Sequence, residues 1–376
     1  MSSPSALSLA ARDPRGGGAP PRRGPRPLAL HLALAAASRE PAGRLPARFL
    51  AGLQAYWRHP YRRGLAEPPA LWRAGGTRLL DYGPPGGVPL LVVPSLINRA
   101  YILDLAPGCS LLRHLAGQGL RPLLVDWGAP GPRERRMSLD RYVMERLTAA
   151  LAVARRAGGA PPLVLGYCMG GLLATALAAR RPGEVAGLAL LATPWDFHAG
   201  AVTPALRALL SAAARAGGLL GGLPVELMQS LFAGIDPLAV ARKFAGFGEL
   251  DQASPEAQSF VAIEDWLNDG VPLGAEVAQD CLLGWYGQNR PARGCWQIGG
   301  EAVVPERIAV PGLVAIPTRD RIVPPASAAA LAARLPQATL LRPAGGHVGM
   351  VAGRSAAQQL WAPLAAWLRR IAAMQN

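Results

Sequence analysis

Short runs of apolar, often branched residues alternate along the chain with stretches in which apolar residues recur at helical spacing. The runs at 88–93, 122–127, 163–167 and 187–192 predict buried parallel strands, and 77–82 predicts an earlier strand before them. Helical spacing predicts helices at 109–116, 138–157 and from 172 onward, between those strands. After Trp195-Asp196-Phe197 the rhythm breaks into a mostly helical stretch punctuated by Gly217-Gly218, Gly221-Gly222 and Gly299-Gly300. It returns with strands at 311–317 and 338–342 and helices at 326–334 and 355–371. The pattern predicts an α/β fold, a mostly parallel sheet wrapped by helices with a helical insertion. The core is assigned to 75–198 and 301–376, and a cap over the pocket to 199–300. Residues 28–74 read as a short helical extension, and 1–27, rich in Arg, Pro and Gly, as a disordered tail.

With 376 residues and 51% hydrophobic content, the chain suffices for one large domain plus the insertion. The net charge of +15 suggests a nucleic-acid partner until it is located. Eleven arginines against Asp13 and Glu40 put +9 of it in residues 1–63. The charge therefore reads as a tail property, and nucleic acid is set aside as a partner. The four cysteines, 109, 168, 281 and 295, have no CxxC or zinc-finger spacing, so no metal and no cofactor are expected. A free catalytic thiol fits a reducing, cytoplasmic compartment. Arg22–Pro27 followed by the apolar residues 28–38 imitates a signal peptide, but the run begins late and contains His31, so a tail and a small helix are preferred. No run approaches the ~18 apolar residues of a membrane span.

Between strand 163–167 and the helix after it lies Gly166-Tyr167-Cys168-Met169-Gly170-Gly171. This is the strand–turn–helix of a nucleophile elbow with cysteine in the serine position. Glycines flank the nucleophile because helix and strand pack too closely there for Cβ atoms. A helix N-terminus aimed at sulfur favours the thiolate. Each returning strand then ends in one polar candidate. The first leads to Thr318-Arg319-Asp320-Arg321, the second to Gly345-Gly346-His347-Val348-Gly349. Nucleophile, acid and histidine thus follow in the order of the α/β-hydrolase fold. The other histidines lie in the extension (His31, His59), in a helix (His114), or after the strand at 187–192 (His198). Cys168, Asp320 and His347 are accordingly the expected triad. The backbone N–H groups of Met169 and Leu96 are the expected oxyanion donors.

Residues 92–105, from Val92-Val93-Pro94-Ser95-Leu96-Ile97-Asn98 to Leu103-Asp104-Leu105, resemble a segment of polyhydroxyalkanoate synthases. So do Asp126-Trp127, the Cys168 elbow, Thr193-Pro194-Trp195-Asp196-Phe197 and Arg319-Asp320-Arg321-Ile322-Val323-Pro324, and the likeness covers about residues 75–375. The Gly345–Gly349 loop, the short length and Glu264-Asp265-Trp266-Leu267 resemble the short synthases that work with a second subunit. The resemblance implies that Cys168 carries the acyl group, that His347 is the general base and that Asp320 is its partner. It further implies a 3-hydroxyacyl-CoA substrate, a growing polyester, a homodimer or second synthase subunit, and a site at the polyester granule surface. The alternative on the same triad is an esterase, thioesterase or polyhydroxyalkanoate depolymerase, because fold and triad do not fix the acceptor. A non-catalytic granule-surface protein is the third reading, against which the intact triad set argues.

Overall fold

The computed structural model describes residues 22–38, 44–200 and 203–374. Eight strands form one sheet: β1 Ala70–Ala74, β2 Thr77–Asp81, β3 Val88–Val93, β4 Leu120–Asp126, β5 Leu163–Tyr167, β6 Gly187–Leu191, β7 Gly312–Ala315 and β8 Ala338–Leu341. Their order across the sheet is β1-β2-β4-β3-β5-β6-β7-β8. The β1–β2 and β2–β4 pairs are antiparallel; all the others are parallel.

Strand alternation sends successive side chains to opposite faces. Leu91, Val93, Val164, Leu188, Leu190 and Val314 join one buried cluster. Leu90, Val92, Leu163, Leu165, Ala189 and Leu313 join the other. Helix α1 spans Leu28–Ala36, α2 Arg44–Arg58 and α3 Leu111–Gly117. A long helix α4 covers 139–158, passing through a wider π-type segment at Tyr142–Leu147, and α5 follows at Met169–Arg180. Leu147 and Leu151 of α4 and Leu172, Leu173 and Leu177 of α5 cover the first face. Leu111, Leu112 and Leu115 of α3 cover the second, joined by Leu360, Leu364 and Leu368 near the C-terminus.

Between β6 and β7 stand α6 Pro204–Leu219, α7 Val225–Ala233, α8 Ala239–Phe247, α9 Pro255–Asn268 and α10 over 275–287. Ser254 caps α9 by accepting from Ala257 N–H, and Pro255 supplies a first-turn residue with no N–H to leave unpaired. A third apolar cluster joins this insertion to the N-terminal helices: Phe49 and Tyr56 of α2 meet Phe244 edge-on, 6.0 and 5.4 Å between centroids.

Two sequence expectations are corrected here. Residues 28–74, read as a short helical extension, end in β1, an edge strand whose side chains alternate between half-buried and exposed. Residues 22–27, expected to belong to a disordered tail, are instead ordered against the fold. Residues 1–21 lie outside the described chain, but from Arg22 onward the backbone is laid on the insertion. Arg22 there pairs with Asp265 at 2.9 Å and donates to the carbonyls of His59 and Tyr61.

Candidate active site

The parallel register decides which loops meet. Val93 pairs with Gly166, Tyr167 with Leu191, and Ala315 with both Leu191 and Leu341. The carboxyl ends of β3, β5, β6, β7 and β8 are therefore level, and the loops leaving them crowd one edge of the sheet.

At the end of β5 the chain turns through Cys168 with φ 55° and ψ −127°, and α5 begins at the next residue. Such a backbone in a non-glycine residue costs about 1–3 kcal/mol, so the surroundings must hold it. Cys168 N–H donates to Leu191 O at 2.8 Å, and Gly171 N–H donates to Cys168 O at 2.9 Å. The flanking glycines are sterically required. A Cβ on Gly166 would strike the backbone of Gly171, one on Gly170 the carbonyls of Val93 and Pro94, and one on Gly171 the side chain of Thr193.

Asp320 follows β7 with its side chain wholly buried. Its Oδ1 accepts from the N–H groups of Ile322 and Val323 at 2.8 and 2.9 Å, and its Oδ2 faces His347 Nδ1 at 2.7 Å. The loop after β8 that carries His347 is tied to the acid loop, since Arg319 N–H donates to Gly345 O at 2.8 Å. Behind it, Tyr167 O–H donates to His347 O at 3.3 Å, and the two rings pack 5.2 Å apart. Burial pulls the His347 pKa down, but the Cys168 charge and the Asp320 hydrogen bond outweigh it and carry the value up to about 10. With Nδ1 given to Asp320, Nε2 is the nitrogen free to meet sulfur. The structure thus brings Cys168, Asp320 and His347 together. Asp126 and Asp196, at other strand ends, are engaged elsewhere, the first with Arg78 at 3.0 Å and the second with Asn289 at 2.8 Å.

Met169 follows Cys168 as the first residue of α5, and Leu96 lies in the loop after β3, whose start packs against Gly170. Among the described residues, neither backbone N–H donates to a protein acceptor. Trp127 Nε1–H donates to Pro94 O at 3.0 Å and fixes the loop that carries Leu96.

Cys168 and His347 line a cavity of about 120 Å³ together with Ile97, Ile102, Phe232, Trp266 and Leu267. The wall is mainly apolar. Trp266 is fixed there by its Nε1–H donating to Arg99 O at 2.7 Å. Sequence reasoning did not reach Gln229 and Phe232 of α7, because nothing in their local spacing distinguishes a pocket wall from ordinary helix packing. The other thiols are placed differently. Cys109 donates to Ala352 O at 3.5 Å, Cys281 is buried, and burial raises the pKa of both. Cys295 is exposed.

Residues 88–216 match the model of the α/β hydrolase fold family. The poly(3-hydroxyalkanoate) polymerase subunit PhaC of Allochromatium vinosum is 28% identical over 81% of this chain and 89% of its own length. The protein of the same name from Haloferax mediterranei is 29% identical over 74% of this chain, and the chain spans 58% of it. Among solved structures, the enol-lactonase of Burkholderia xenovorans superposes with a TM-score of 0.51 at 18% identity, covering 80% of this chain and all of that one. That likeness concerns the fold alone. The elbow, the strand order and the relatives agree: the chain has the α/β-hydrolase fold and is similar, over 74% to 81% of its length, to poly(3-hydroxyalkanoate) polymerase subunits.

Proposed function

We propose that the protein polymerises 3-hydroxyacyl groups from coenzyme A thioesters, holding each acyl group on Cys168 and releasing coenzyme A. The carrying observation is a cysteine at the elbow beside a buried Asp320–His347 pair, in a chain whose relatives are named polymerases.

The thiolate of Cys168 attacks the thioester carbonyl. The N–H groups of Leu96 and Met169 receive the developing oxyanion. The carbon–sulfur bond to coenzyme A breaks, and the departing thiolate takes the proton from His347. One thioester replaces another, so little transfer potential is lost. Acylation also removes the sulfur charge, the first of the influences that raise the His347 pKa. Burial then pulls the ring toward its neutral form, which is the form needed next. Neutral His347 takes the proton of the next 3-hydroxyl, whose oxygen attacks the acyl-Cys168 carbonyl. An ester forms, Cys168 leaves as thiolate, and the charged pair is restored. Asp320 keeps Nδ1 protonated and supports the imidazolium. Residues 199–300 act as the cap that limits water at the thioester.

The relatives are named as polymerase subunits, which favours a second synthase subunit as partner. The site is the cytoplasmic granule surface. The test is the purified protein with 3-hydroxybutyryl-CoA, with and without such a partner. Coenzyme A release with polymer supports the proposal. Release with free acid would assign a thioesterase, and no release under either condition would exclude acyl transfer.

A further inference from the structure

Two helices of the insertion wall the catalytic cavity: Gln229 and Phe232 of α7 and Trp266 and Leu267 of α9 line it with Cys168 and His347. Among the described residues, a single side-chain hydrogen bond joins these helices directly, from Gln229 Nε2 to Leu267 O at 3.3 Å. Arg26 supplies the other link. Its backbone N–H donates to Asn268 Oδ1 at 3.0 Å and its guanidinium to Asn268 O at 3.3 Å, both at the end of α9. The same guanidinium pairs with Glu226 in the first turn of α7. We infer that Arg26 is a positioning residue: it holds α7 to α9 and so governs how the acyl group on Cys168 divides between the next hydroxyl and water. The inference rests on the polymerase reading above.

The chain is fixed before it reaches Arg26. The Arg22 side chain, 5% exposed, pairs with Asp265 of α9 and donates to the carbonyls of His59 and Tyr61. Trp57 Nε1–H donates to Gly24 O at 3.0 Å. Gly24 lies so close to α9 that a Cβ there would overlap the Asn268 side chain. Arg26 is thus delivered to the gap between the helices by contacts that it does not make itself. The Glu226 side chain is 54% exposed, and an exposed ion pair adds little to overall stability. The bridge therefore bears on where the wall stands more than on whether the chain folds.

Beside the link lies a second cavity of about 270 Å³, lined from the N-terminal side by Pro25, Arg26 and His31. It shares Gln229, Phe232, Leu267 and Ile322 with the catalytic cavity. These four residues border both spaces, so a shift of α7 away from α9 joins them and admits water to the thioester. Water that attacks the acyl-Cys168 carbonyl gives a proton to His347. The carbon–sulfur bond breaks, and the free 3-hydroxy acid leaves with Cys168 restored as thiolate. Elongation uses the same sulfur and the same imidazole, so access to the carbonyl decides between the two outcomes.

The experiment gives the purified protein 3-hydroxybutyryl-CoA and measures free acid formed per coenzyme A released. Arg26→Ala should raise that fraction about threefold, the order of one exposed ion pair, and leave the rate of first coenzyme A release unchanged. Glu226→Ala breaks the same bridge from α7 and should do likewise, with the double variant adding little. Arg26→Lys keeps the charge but not the fork that reaches both partners, and should recover part of the loss. Hydrogen exchange over residues 225–233 should quicken in Arg26→Ala, a readout that needs no turnover. If Arg26→Ala fails to fold, Glu226→Ala carries both readouts. An acid fraction unchanged in both single variants, or exchange unchanged over 225–233, would overturn the inference. Wild-type protein that releases no coenzyme A, or forms only free acid, would instead overturn the polymerase reading, and the exchange measurement would still decide whether Arg26 holds α7.

Discussion

Two backbone N–H groups hold Asp320 Oδ1, and that constrains what a substitution can do. In Asp320→Asn the amide oxygen takes the Oδ1 place, so the amide NH₂ faces His347 Nδ1. The imidazole proton then moves to Nε2, the nitrogen that must accept. Thiols ionise near neutral pH without much help, whereas an alcohol does not. The variant is therefore expected to release coenzyme A in a first turnover, accumulate acyl-Cys168 and elongate at least 100-fold slower, on the order of a lost general base. Rapid-quench trapping would show it; wild-type elongation would remove Asp320 from the triad. The His347 pKa supplies a second check. Raised to about 10, the ring keeps its proton well above pH 6.5 in the free protein. Because the Cys168 charge is the first influence that raises it, Cys168→Ala should shift the His347 titration to lower pH. A histidine NMR titration reads this directly, and an unchanged midpoint would contradict the charge pairing. Among the four cysteines, Cys168 should be alkylated by iodoacetamide before Cys109 and Cys281, whose pKa values burial raises.

The elements carry their own test in the glycines. A Cβ at Gly170 meets backbone carbonyls that cannot move aside, so Gly170→Ala should cost about 1–3 kcal/mol and misplace the loop that carries Leu96. At Gly159, the left-handed residue that ends α4, a Cβ meets nothing, and only the backbone penalty of about 1 kcal/mol remains. Thermal melts should separate the two, and only the first should also lower turnover. Asp104, in the stretch that resembles the synthases, has a structural task. Its wholly buried carboxylate binds Arg63, Arg113 and the Tyr82 hydroxyl. The strands around the site were legible because their apolar runs are buried on both faces. Strand β1 was not, because an edge strand with alternating half-exposed residues such as Trp72 and Arg73 has no comparable run. The elbow was legible because its glycines are a local steric demand. The walls from α7 were not, since Phe232 meets the pocket only through the tertiary fold.

For the whole molecule, the charge balance reads differently once folded. The arginines of residues 1–63 looked like a free basic tail, yet Arg22, Arg26, Arg48 and Arg63 pair with Asp265, Glu226, Glu249 and Asp104. Their partners lie 41 to 243 positions away, a distance that local sequence patterns cannot bridge. Removing residues 1–21 should leave acyl transfer and the melting temperature essentially unchanged. Removing residues 1–43 takes away Arg22, α1 and the contacts to Asp265 and Asn268 as well. It should lower the melting temperature by a few degrees, since about 1 kcal/mol moves a chain of this size by roughly 1–2 °C and several contacts are lost together. Equal melting temperatures for the two truncations would show that the docked segment contributes nothing to stability.

The most direct measurement is mass spectrometry of the Cys168 peptide after millisecond quenching with 3-hydroxybutyryl-CoA. A 3-hydroxybutyryl adduct on Cys168 should appear at the rate of the first coenzyme A release, and be absent in Cys168→Ala. Coenzyme A released at the wild-type rate with no adduct, or with the acyl group on another residue, would contradict a covalent Cys168 mechanism.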